Sequence, residues 1–105
     1  MIGTPRLPAV GEPLSHVYVS HLAVDDDDEE VFGALLAHAC NAAIERGHAC
    51  AIVGMAARHP FLRLVTRAHR AWTYSSILYA ACWEACADAL ARIDSRIPHL
   101  EVGLL

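Results

Sequence analysis

Hydrophobic and polar positions along this chain follow two periods, and each change of period marks a new element. Residues 15–24, "SHVYVSHLAV", alternate with period two and are rich in β-branched and aromatic side chains. Val17, Val19, His21 and Ala23 share one face while Tyr18, Ser20 and Leu22 share the other, the pattern of a strand. The period then lengthens. Phe32, Leu36, Ala39 and Ala43 recur at helical spacing, joined by Leu35 and Ile44, and "ERGH" closes the run with an arginine and a glycine stop. A helix of about four turns is expected there.

Residues 49–55, "ACAIVGM", form a short apolar run between turn-prone neighbours, the mark of a strand buried on both faces. Strand, helix and strand at this spacing make a parallel βαβ unit. Pro60 then opens a shorter helix, "FLRLVTRAHR", with Phe61, Leu64, Val65 and Ala68 on its apolar side. The remainder reads as a long strand over residues 72–83, a short amphipathic helix over 84–93 with Leu90 and Ile93 inward, and a closing strand over 99–105. The expected fold class is α/β in the order β-α-β-α-β-(α)-β, a mixed sheet with antiparallel strands at its C-terminal end. Residues 1–14 hold Pro5, Pro8 and Pro13 among turn formers and read as an extended lead-in to a single domain over 15–105.

Composition narrows the chemistry. The formal charge of −4 gives no net basic surface for nucleic acid or anionic membrane. All eight cationic side chains are arginine, which removes Schiff-base chemistry from this chain. The most apolar stretch is broken by Glu84 and Asp88, so no membrane span is expected, and the opening residues lack the basic and apolar segments of a secretory signal. The chain therefore reads as cytoplasmic. Cys40, Cys50, Cys82 and Cys86 are then expected as thiols, acting as small core hydrophobes, since "CWEAC" is not the spacing of a zinc or redox pair.

Seven histidines, His16, His21, His38, His48, His59, His69 and His99, are scattered without ligand spacing, so no metal site is assigned. Arg58, His59, Arg63, Arg67 and Arg70 share the region of the second helix, either as a solvated face or as a patch for a phosphate or an acidic surface. The densest charge is "DDDDEE", residues 25–30, at the mouth of the first helix. Three readings stay open for it: a cap on the helix dipole, a divalent-cation site, or an acidic face for a basic partner.

The element order, "YSSILYAACW" and the closing "PHLEVGLL" resemble the C-terminal half of the GNAT superfamily of acyl-CoA-dependent N-acyltransferases, over roughly residues 15–105. The resemblance implies a possible acetyl-CoA cofactor, its pantetheine arm along the first strand and its pyrophosphate at the following loop and helix start. Val24, Val31, Phe32 and Gly33 would then be the cofactor-binding positions. The family pattern is Arg/Gln-x-x-Gly-x-Gly/Ala; with Gly33 in its last place, Val31 stands for the first glycine and Asp28 for the Arg or Gln. Six carboxylates would meet a pyrophosphate with like charge, each exposed pair at ~5 Å opposing it by roughly 1 kcal/mol. The second helix also lacks the tyrosine that often serves the family as general acid, and no catalytic residue is assigned.

These departures imply a degenerate, non-catalytic GNAT-like unit that acts as an interaction or structural module. The alternative is an acetyl-CoA-dependent acyltransferase completed by a missing N-terminal half or a partner chain. Either way the strand at 15–24 would be an open edge, through which the chain associates with itself or with that half.

Overall fold

The computed structural model describes residues 7–104, so residues 1–6 of the expected lead-in and Leu105 of the expected last strand lie outside the described residues. It is a mixed α/β structure whose sheet has two parallel strands, β1 (His16–Val19) and β2 (Cys50–Val53). Their register runs without a break from His16↔Cys50 to Val19↔Val53. Helix α1 (Glu29–Glu45) connects them, completing the βαβ unit. Helix α2 (Leu62–Ala68) follows, and α3 (Ala87–Ala91) lies far along the chain.

Both ends of α1 are written in local chemistry. Asp28 is the N-cap, its side chain accepting from the main-chain N–H of Glu30 at 3.0 Å and of Val31 at 3.2 Å. At the other end Gly47, with φ of 81°, lets the chain turn back. The Gly47 N–H reaches the Ile44 carbonyl at 2.8 Å and the His48 N–H reaches that of Ala43 at 3.0 Å, the paired bonds of a Schellman stop.

The face of α1 that carries Phe32, Leu36 and Ala43 is buried, while Leu35 and Ile44, expected beside them, are exposed. Phe32 is fully buried and stacks on Phe61 with ring centroids 4.3 Å apart and planes 20° from parallel. Phe61 sits at the N-terminal boundary of α2, so this one pair clamps the start of α1 to the start of α2. Leu22, Val24, Cys40, Val53, Met55, Leu64 and Val65 pack around it half-buried. The four residues of β2 are uniformly half-buried rather than buried on both faces as expected, because a sheet of two strands is too narrow to be enclosed by its neighbours.

The C-terminal third departs from expectation. Residues 72–83 form no strand: they run irregular and exposed, with Tyr74 92%, Tyr79 87% and Trp83 86% accessible. A strand-forming side-chain pattern is stable only with a neighbouring backbone to complete its ladder, and no described segment pairs with this one in a sheet. The expected antiparallel strand over 99–105 is instead a 3-10 turn at Val102–Leu104, so the sheet is purely parallel. Leu90 and Ile93 face solvent rather than inward, and Cys82 and Cys86 are exposed rather than core; all four cysteines are free thiols. The radius of gyration is 16.5 Å against about 13 Å for a compact chain of this length, the mark of that long excursion.

With Phe32 as the largest fully buried side chain, its removal is expected to act globally. Phe32→Ala should cost about 3–5 kcal/mol and abolish cooperative unfolding in urea, whereas Leu35→Ala, on the exposed side of the same helix, should leave the midpoint nearly unchanged.

Candidate functional site

Parallel strands end together, and the crevice beyond their carboxyl ends is where open α/β sheets take ligands. Here β1 and β2 part after Val19 and Val53, opening a cleft of about 260 Å³. Asp27 from the loop before α1, His59 from the approach to α2, and His99 and Glu101 from the C-terminal segment line it, with His21 at the end of β1. Three of the seven histidines thus meet at one place although residues 21 and 99 are far apart in the chain.

Glu101 organises the cleft. Its carboxylate accepts the main-chain N–H of His21 through Oε1 at 2.9 Å and Oε2 at 3.2 Å. Oε1 also receives His99 Nε2 at 2.6 Å, a short, charge-assisted contact that leaves Nδ1 as the remaining ring nitrogen. The His99 bond first, and then the His21 N–H, hold the Glu101 carboxyl below the usual carboxylate range. His21 adopts a φ of 55°, uncommon for a residue with a side chain, which ends β1 and turns the chain at this point. The segment bearing Glu101 seats against bare backbone: a Cβ at Gly54 would lie 2.5 Å from that of Val102.

His59 is fixed separately, its Nδ1 accepting the Phe61 N–H at 3.1 Å, which leaves Nε2 to donate. Ser20 Oγ bonds its neighbour's ring, His21 Nδ1, at 3.0 Å. Glu101 meets His21 by the main chain and not by the ring, so Ser20, His21 and Glu101 are not linked as a nucleophile, base and orienting acid. Among the described residues no three His, Cys, Asp or Glu side chains converge to hold a metal ion.

The positions expected to bind cofactor are not gathered on one surface. Phe32 is sealed in the core and Val24 packs half-buried against it, while Val31 is 45% exposed and Gly33 faces open space on α1. The N–H groups of Glu30 and Val31, at the helix end the resemblance assigns to pyrophosphate, already bond Asp28. Asp25–Asp27 form an exposed 3-10 turn in which Asp26 and Asp27 have φ of 55° and 50°. Of the basic cluster, Arg63 pairs with Glu29 at 3.5 Å, and Arg58 donates to the Ser95 and Arg96 carbonyls at 2.6 and 3.0 Å. Tyr74 and Tyr79 stand exposed on the excursion.

His21, His99 and Glu101 were not singled out together by the sequence. The one signal available was "HLE", which places an imidazole and a carboxylate two residues apart in extended chain, on one side of it. No helix among the described residues is long and apolar enough to cross a membrane. No family model, curated protein or solved structure matches the chain.

Two expectations follow from the capping carboxylates. Asp28→Ala should lower stability by about 0.5–2 kcal/mol in urea unfolding, with the largest acceleration of amide exchange at Glu30 and Val31, whose N–H groups lose their acceptor. Glu101 has a depressed pKa in the folded state, so its contribution is complete above the unfolded value of about 4.3 and is lost as pH falls through the lower folded value. The His21 amide resonance should therefore titrate with a midpoint below the ordinary glutamate value, ahead of the α1 amides; a midpoint at or above that value would contradict the arrangement.

Proposed function

We infer that this chain is a GNAT-like interaction or structural domain that performs no catalysis alone and is completed by another polypeptide. The observation that carries this reading is the segment from Trp72 to Trp83, where aromatic and β-branched side chains stand in solvent on a backbone without ladder partners. Exposed apolar surface of this kind marks a contact site. A two-stranded sheet also has two outer edges, and β1 is one of them.

The cofactor side of the resemblance draws less support. Its pyrophosphate position lies among six consecutive carboxylates, and the helix start there is capped by Asp28. The second reading, an acyl-CoA-dependent N-acyltransferase completed by a partner, draws on the cleft at the strand ends, where β1 and β2 part beside the loop before α1. Acyl-CoA binding separates the two.

Thermal unfolding with acetyl-CoA at moderate salt is expected to give no shift at millimolar ligand, while sedimentation over a concentration series gives a self-associating species or, with the cognate chain, a stable complex. A ligand at 100 times its dissociation constant stabilises the fold by about 2.7 kcal/mol, which raises the melting temperature measurably. Such a rise, absent with free acetate, favours the acyltransferase; a monomer whose residues 72–83 stay exposed in every condition removes the interaction reading.

A further inference from the structure

We propose that the end of β1 is a binding site for a small monocarboxylate, and that Glu101 is its built-in occupant, held there by the His21 main-chain N–H and His99 Nε2. The argument is geometric. A carboxylate needs donors converging on its two oxygens, and here one N–H spans both, at 2.9 and 3.2 Å, while an imidazole meets the nearer oxygen at 2.6 Å. These donors come from opposite ends of the chain and meet at the cleft beyond the strand ends.

His21 holds a left-handed φ of 55° at the same point, a conformation that costs free energy for a residue with a Cβ and recurs at ligand sites. His59 lines the same cleft, and with its Nδ1 committed to the Phe61 N–H its Nε2 is a further donor there. The site is therefore larger than Glu101 alone requires.

Charge and size select the ligand class. Asp27 lines the same cleft and the chain carries a net charge of −4, so a second negative charge on the ligand is opposed. A single carboxylate replaces Glu101 with no change in net charge at the site; a phosphate dianion does not. The cleft, at about 260 Å³, lies just below the usual range of roughly 300–1,000 Å³ for ligand pockets, which favours a small acid.

Displacement is feasible because Glu101 arrives on a segment without regular strand or helix, followed only by the 3-10 turn Val102–Leu104. The contact of Val102 with Gly54 holds that segment independently, so the Glu101 side chain can swing out while His99 remains. Binding is thus a competition between a tethered carboxylate and a free one.

The test uses the full chain carrying Glu101→Ala, followed by the His21 amide in two-dimensional NMR and in hydrogen exchange. Exchange of that amide should accelerate by about tenfold or more, the expectation for losing a bond to a charged acceptor, with the α1 amides unchanged. Sodium acetate should then restore the wild-type resonance and its protection saturably. Sodium chloride at equal ionic strength should do nothing, and inorganic phosphate should act more weakly than acetate. If the alanine variant does not fold, acetate titrated into the wild-type chain provides the second readout, since displacement of the Glu101 carboxylate should shift the His21 amide resonance saturably where chloride does not. An unchanged His21 amide in the variant, restoration by chloride as well as by acetate, or no restoration by acetate would each overturn the proposal.

Discussion

The stacking of Phe32 on Phe61 is the contact on which the other elements depend. Four hydrophobic residues are buried among those described, and these two rings are the largest of them. Phe32 lies in the first turn of α1 and Phe61 at the start of α2, so their contact fixes the two helix origins relative to each other. His59 and Asp27, two walls of the cleft, are each within a few residues of one of these rings. A core this small stabilises the βαβ unit and the helix after it, and leaves little apolar surface to hold the rest of the chain.

A second constraint is electrostatic. Two places in the fold present N–H groups that favour negative charge, the start of α1 and the end of β1, and at each a carboxylate of the chain itself is in place. Asp28 answers the first and Glu101 the second. The acidic run therefore contains one residue with a defined structural role and five with none of that kind: Asp25, Asp26, Asp27 and Glu30 are exposed, and Glu29 reaches Arg63 only at 3.5 Å across solvent. Exposed pairs of this sort contribute little to stability, so the excess charge shapes the field around the cleft more than it shapes the fold.

What could be read from the sequence was local. The periodicity of Phe32, Leu36 and Ala43, the aspartate before α1 and the glycine after it, and the apolar run of β2 all act within a few residues, and each appears where expected. Strand β1 is shorter than its alternation suggested because His21 turns out of the extended region, a backbone event that alternation does not encode. Residues 72–83 have the composition of a strand without the partner that would make them one, since a ladder is a property of two segments. The cleft was illegible for a similar reason: the His21–Glu101 contact joins residues 80 apart, and one of its two groups is a main-chain N–H that every residue but proline carries.

The C-terminal third divides into two parts with different physical character, and Arg58 marks the division. Its guanidinium holds the carbonyls of Ser95 and Arg96, where the chain returns to the body of the fold. Before that point the excursion carries exposed Trp72, Ile77 and Trp83. After it, the segment through Glu101 and Val102 is held by donors at β1 and by the close seat at Gly54. Because Arg58 fixes the chain between them, the position of the carboxylate in the cleft is set by the folded body rather than by whatever conformation the excursion takes. An aromatic surface and a polar cleft can therefore coexist in one short C-terminal region, the first open to a partner and the second defined without it.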